Sequence, residues 1–226
     1  MTTKALVACL ATTAICACAK VELETLTHAS GSKKAQGHWR DAQRQGLWTQ
    51  WYANGRKRSE GHYHQGQRQG RWAYWYENGQ KRSEGSFEQG EKNGSWINWR
   101  ASGKKRQEGK YHAGKAMGTH HFWYASGARW KAESYRGCAL HGIQRLWFEN
   151  GQLQATGRYD NGYKEGRWTT WYEDGVKQME IVFVAGKAKS GARSWNAQGH
   201  PIPYGEPFGL DLTTKTQPCA ESQPNR

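Results

Sequence analysis

Proline is missing from the first 200 residues of this 226-residue chain; all five prolines come later. Long β ladders can therefore run without a missing donor. Aliphatic residues are scarce too. Leu, Ile, Val and Phe together number 25, too few for an ordinary core, and with a net charge of +14 such a composition is otherwise met in disordered chains. Acid is short, with 19 Asp and Glu against 33 Lys and Arg. That imbalance favours anionic partners and leaves the fold open. No window carries a sustained 3.6-residue apolar period, which excludes amphipathic helices. The chain has no nucleophile motif, no phosphate-cradling glycine loop and no cysteine pair at zinc spacing. We therefore expect no enzyme, no cofactor and no metal site.

Aromatics fill the gap. The 13 Trp and 11 Tyr bury large areas per residue and can stand in for an aliphatic core. They are also periodic. Trp recurs at 51, 75, 99, 123, 147, 171 and 195, and Gly at 55, 79, 103, 127, 151, 175 and 199. A third column is always aromatic: Trp39, Tyr63, Phe87, Tyr111, Tyr135, Tyr159 and Phe183. A fixed period of this length is the signature of a repeat array.

Each unit reads as a hairpin. "RWAYWYENGQKRSEGSF", starting at Arg71, places Asn-Gly between two strand-like runs; the Gly takes positive φ without steric cost. Gly61, Gly85, Gly109 and Gly157 stand two residues before the aromatic column, where they would admit a neighbouring Trp ring onto the backbone. The fold class predicted is all-β: an elongated antiparallel β-meander of about seven 24-residue hairpin repeats. The array covers 37–199. Residues 18–36 read as a polar tether, and 200–226 as a Pro-rich cap or tail.

"GRWAYWYENGQKRSEGSFEQGEKNG", from Gly70, resembles the MORN repeat in its bacterial variant form. Proteins with such arrays are often labelled antitoxins of the YwqK type. The resemblance implies an antiparallel β ribbon and a role in scaffolding, in lipid or protein contact, or in neutralising a toxin.

Residues 1–17 read as a signal peptide: one early Lys, then an Ala-rich apolar run too short to span a bilayer. "ICAC", at Ile15–Cys18, resembles a bacterial lipobox, which implies acylation of Cys18. The alternative is an ordinary signal cut after "ACA", leaving Lys20 first and the protein periplasmic or secreted. Either way the sequence predicts export, and with a lipid anchor it predicts residence in the cell envelope. Export removes Cys9 and Cys16. With Cys18 acylated, Cys138 and Cys219 remain, an even number in an oxidising compartment, so a Cys138–Cys219 disulfide is expected.

Candidate contacts for an anionic ligand lie just past the Gly turns. Lys57, Lys81, Lys105, Arg129 and Lys177 share one slot, and Arg58, Arg82 and Arg106 follow in the first three units. Such a row would meet an anionic lipid or polysaccharide, or it is a solvated edge that blocks aggregation. Glu60, Glu84, Glu108 and Glu180, three residues on, would neutralise part of it. A second Trp column, at 48, 72, 96 and 168, lies three residues before the first, hence on the opposite strand face. One of the two columns is expected to be core. The pattern breaks at His120, Gln144, Glu133 and Cys138, with His121 and His141 nearby. No HxH or HxxxH pair supports a metal there; degenerate repeats or a bend account for the break. The function predicted is a non-enzymatic, envelope-anchored scaffold that contacts protein or an anionic polymer or lipid, and not nucleic acid. The alternative is a toxin-neutralising antitoxin or immunity protein of the YwqK type.

Overall fold

The computed structural model describes residues 3–6 and 21–203. Its described residues form antiparallel strands and no helix, as the proline-free aromatic periodicity predicts. The chain divides into two compact units, 1–103 and 104–226.

In the first unit the strands are β1 (Thr3–Leu6), β2 (Val21–Thr27), β3 (Lys33–Arg40), β4 (Gln43–Trp51), β5 (Lys57–His64), β6 (Gln67–Trp75), β7 (Lys81–Glu88) and β8 (Glu91–Trp99). Each pairs with the next in chain order. The second unit contains β9 (Lys105–His112), β10 (Lys115–Trp123), β11 (Arg129–Arg136), β12 (Ala139–Leu140), β13 (Gly142–Trp147), β14 (Leu153–Asp160), β15 (Tyr163–Trp171), β16 (Lys177–Val184), β17 (Lys187–Ala188), β18 (Arg193–Trp195) and β19 (Pro201–Ile202). It is a meander as well, with β11 also pairing to β13 and β16 to β18.

Two of the sequence boundaries are corrected. Val21–Thr27 and Lys33–Arg40 are strands, so most of 18–36 is part of the meander and not a tether. The period of 24 does continue there, with Gly31 at the turn and Lys33 after it, but Thr27 and His28 stand where later units carry Trp and Tyr. The aromatic marker of the repeat is absent although its strand pattern persists. At the other end Pro201 enters β19 and pairs with Trp195, so the first proline does lie in a ladder. Proline is tolerated in a short terminal strand where no partner needs its N–H. Cys18, Cys219 and most of the segment read as a signal peptide lie outside the described residues.

The two turns of each hairpin differ. At the Asn-Gly end, Tyr76 N–H donates to the Gln80 carbonyl at 2.8 Å and Gly79 N–H to the Tyr76 carbonyl at 2.9 Å. Gly79 sits at φ +89 and Asn78 does not adopt positive φ. Asn78 contributes through its amide instead. Its Oδ1 accepts from Gln80 N–H at 3.0 Å and its Nδ2 donates to the Ala101 carbonyl of the next hairpin at 2.8 Å. At the other end two consecutive residues take positive φ, as in Gln65 (48) and Gly66 (77), the backbone of a tight two-residue turn. Replacing Gly79 by Val is expected to cost about 1–3 kcal/mol from backbone strain, because only open space and the flexible Arg56 side chain surround the added Cβ. Chemical denaturation of the variant checks this, and an unchanged midpoint would contradict it.

Candidate functional site

The two Trp columns have different fates. Trp48, Trp72 and Trp96 are 2–4% exposed, and each lies flat on the glycine of the neighbouring strand. A Cβ built on Gly37, Gly61 or Gly85 would stand 2.2–2.3 Å from the indole of Trp48, Trp72 or Trp96. The indole N–H then reaches a backbone carbonyl, Trp72 Nε1 donating to His62 O at 3.1 Å. Between the indoles stand the rings of the third column, edge to face. Trp39, Trp48, Tyr63, Trp72, Phe87 and Trp96 form one chain of T-shaped contacts with centroids 4.9–6.1 Å apart, the arrangement that aromatic quadrupoles favour. This ring zipper is the core of the first unit, and we call its side of the strands the aromatic face. In the second unit Trp168 repeats the arrangement between Tyr159 and Phe183.

The column at 51, 75 and 99 is half-buried on the opposite face. Lys57 Nζ stands 5.8 Å from the Trp75 ring, Lys81 5.6 Å from Trp99, Lys105 5.4 Å from Trp123 and Lys177 5.3 Å from Trp195; Arg129 lies 5.3 Å from Trp147. The four lysines also bond the glutamates three residues on: Lys57 to Glu60 at 2.6 Å, Lys81 to Glu84 at 2.7 Å, Lys105 to Glu108 at 2.6 Å and Lys177 to Glu180 at 3.2 Å. The bond from Lys81, with the nearby Arg71, holds the Glu84 carboxyl below its ordinary range. Burial pushes Glu180 up, but Lys177 and Arg193 outweigh it and its carboxyl also ends low. The predicted lysine row is thus largely committed within the protein.

The arginines beside it enter no ion pair among the described residues. Arg58, Arg82 and Arg106 are exposed. In β5 and β7, Arg58 and Arg82 occupy bulges, skipped by the register that joins Trp51 to Lys57 and Trp75 to Lys81. Arg82 Cζ lies 5.5 Å from the Tyr74 ring and Arg58 Cζ 6.0 Å from Tyr52.

A further basic column escaped sequence reading. Arg44, Arg68, Lys92 and Lys164 share one repeat position, four residues before the buried indoles. Each sits on rings of the zipper. Arg44 lies 4.6 Å from Trp48, Arg68 3.9 Å from Phe87, Lys92 4.7 Å from Trp96 and Lys164 4.8 Å from Trp168. Burial, then the Arg68 charge, holds Lys92 below its ordinary range. The period of 24 was the available signal, but basic residues are common enough here to mask it. A second ladder was also missed. Tyr52 donates to the Trp75 carbonyl and Tyr76 to the Trp99 carbonyl, both at 2.8 Å, and His28 Nε2–H does the same to Trp51 at 3.1 Å.

The pattern break is internal packing. His120 takes the indole slot on Gly109 at 1% exposure, and its Nε2–H donates to the Lys110 carbonyl at 2.9 Å. Glu133 replaces the glycine and Gln144 the indole. The carboxylate, 4% exposed, accepts from Tyr135 Oη at 2.5 Å and Gln144 Nε2 at 3.1 Å and lies 2.8 Å from Lys131 Nζ. Burial and the adjoining Glu133 push the Tyr135 hydroxyl well above its ordinary value. His141 Nδ1 is 3.0 Å from Asp160. No group of three or more His, Cys, Asp or Glu is placed to hold a metal among the described residues. Cys138 is disulfide-bonded, and the other four cysteines lie outside the described residues.

The MORN repeat variant family model matches residues 44–65, 68–89, 140–161 and 164–185. Each matched segment is similar to that repeat and contains one Asn-Gly or Asp-Gly turn. The interval between the second and third matches contains His120 and Glu133, where the indole and glycine columns fail. No curated protein matches the chain.

Proposed function

We propose that this protein is a non-enzymatic repeat scaffold, exported and anchored in the cell envelope, whose hairpin array contacts protein or an anionic polymer or lipid. The observation that carries this reading is the cationic lining of the aromatic face in the first unit, where Arg44, Arg68 and Lys92 rest on the ring zipper. A basic surface backed by rings attracts anions and desolvates readily. The polar cluster around Glu133 spends its hydrogen-bonding capacity on neighbours, which favours a packing role for it over catalysis.

The anchor follows from "ICAC". A single acyl chain holds a protein only marginally, and diacylation at Cys18 supplies firm attachment. Cys18→Ser is expected to move the protein from the membrane to the soluble envelope fraction and to abolish fatty-acid labelling. Labelling that persists in the variant would sink the anchor. Pull-down from envelope extracts tests the scaffold. Recovery of one stoichiometric toxin-like protein, rather than envelope polymer or structural protein, would replace the reading with the toxin-neutralising one.

A further inference from the structure

We propose that the aromatic face of β4–β8 binds a linear acidic polysaccharide, with Arg68 and Arg82 taking carboxylates on either side of Tyr74. The inference rests on the scaffold reading and names its ligand.

The first support is a segregation of charge by face. In β4–β8 the strand carboxylates fall on the side opposite the zipper. Glu60 there faces Thr49 and Lys57, and Glu84 faces Lys81 and Arg71. Glu88 and Glu91 alternate onto that same side near the β7–β8 turn. No Asp or Glu of these described strands falls on the aromatic face, while Arg44, Arg68 and Lys92 do, and Arg82 reaches over it from its bulge.

The second support is what the two arginines touch. Arg68 donates to Tyr74 Oη at 3.3 Å and to the Gly90 carbonyl at 3.4 Å, both neutral oxygens, and rests on Phe87. Arg82 lies against the Tyr74 ring. Neither forms an ion pair among the described residues, and a guanidinium carries five N–H donors, so donors remain on both. Both touch one phenol, whose oxygen accepts from Arg68 and which donates no hydrogen bond among the described residues, leaving its proton for a sugar hydroxyl. Burial pushes the Tyr74 hydroxyl up despite both arginines, so it keeps that proton. Tyr74 is stacked on Trp72 at 5.8 Å and 25°, and the paired rings lower the local dielectric around the charge-assisted bonds.

The third support is spacing. Arg44, Arg68 and Lys92 stand on alternate strands, about 9.6 Å apart at the usual inter-strand distance. A single nucleic-acid strand carries a charge about every 3.4 Å, too dense for this row. A polysaccharide with one carboxylate per disaccharide spaces its charges by the length of two sugar rings, which fits. In the second unit the same repeat position carries Ala116 and Leu140 before Lys164.

The test uses the purified full chain with hyaluronan oligosaccharides, which carry one carboxylate per disaccharide. Chitin oligosaccharides, polyphosphate and anionic vesicles are run in parallel. Calorimetry should show salt-sensitive binding to hyaluronan and at least tenfold weaker binding to the neutral chitin chain. Arg82→Gln, at an exposed position whose side chain makes no hydrogen bond among the described residues, should weaken hyaluronan binding at least fivefold with an unchanged unfolding midpoint. Arg68→Gln should do the same or more, and Arg71→Gln on the opposite face should leave binding intact. Equal affinity for chitin, or indifference to Arg82→Gln, overturns the site. Binding to vesicles or polyphosphate without hyaluronan overturns the polysaccharide and leaves the anionic scaffold standing. Binding to none of the four removes the anionic-contact reading as well.

Discussion

Trp72→Ala is expected to cost about 3–5 kcal/mol, the range for deleting a large buried aromatic side chain. The indole is 4% exposed and meets Tyr63 at 5.0 Å, Phe87 at 6.0 Å and Tyr74 at 5.8 Å. Its removal leaves a gap across β5, β6 and β7 that glycine cannot fill, because Gly61 has no side chain to relax into it. Trp75→Ala should cost clearly less, about 1–2 kcal/mol. That ring is half-buried on the other face, and the Trp75 atom bonded by Tyr52 is a backbone carbonyl that survives the substitution. Gly61→Ala attacks the same contact from below. The added Cβ would stand 2.2 Å from Trp72 Cδ2, and the indole, held by its hydrogen bond and its ring neighbours, must shift at a cost of about 1–3 kcal/mol. The double variant separates this from general destabilisation. With the indole gone the new methyl enters the vacated space, so the two losses should fall short of additive by more than the few tenths of a kcal/mol expected of independent sites. Urea titration of the four proteins measures this. Strict additivity, or equal losses at Trp72 and Trp75, would show that the zipper is not the core.

The array itself was legible because its signals are single residues at a fixed interval. Gly at the Asn-Gly turn, Gly beneath the indole and an aromatic two residues on each have one physical use, and their columns put hairpins where they are found. The opposition of the Trp columns followed from their odd spacing, but which of them is core did not. That choice turns on the glycine column facing Trp48, Trp72 and Trp96, a pairing register that strand period alone leaves open. The candidate site was legible in part. Lys57 and Lys81 were found by position, yet their bonds to Glu60 and Glu84 take up much of their charge. Arg82 was found in the same row and points elsewhere because it is bulged. Arg68 was missed, since one arginine among many gives no sign that it rests on Phe87. The first hairpin was missed because its Trp and Tyr positions hold Thr27 and His28, although His28 makes the same bond to Trp51 that Tyr52 makes to Trp75.

Cys219→Ser is expected to destabilise the oxidised protein by about 4 kcal/mol, the chain-entropy value for a loop of about 80 residues closed with Cys138. Cys138 is disulfide-bonded and occupies the second position of a tight turn, with Gly137 at φ +56 and itself at +79. The same position is Gly at 66, 90, 114, 162 and 186. A side chain in that conformation costs about 1–2 kcal/mol, a penalty the turn tolerates where the thiol is used. The two ends of the bridge should therefore respond unequally. Cys138→Gly loses the cross-link but relieves the strained residue and restores the turn, so its net loss should be smaller than that of Cys219→Ser by about 1 kcal/mol. In reductant the parent should fall to the level of Cys219→Ser, while Cys138→Gly should then become the more stable of the three. Mass spectrometry of the unreduced protein should yield a linked peptide containing Cys138 and Cys219. Two alkylatable thiols without reductant would refute the bridge, and a linkage from Cys138 to Cys18 would refute both the pairing and the acyl anchor, because one sulfur cannot carry a thioether and a disulfide.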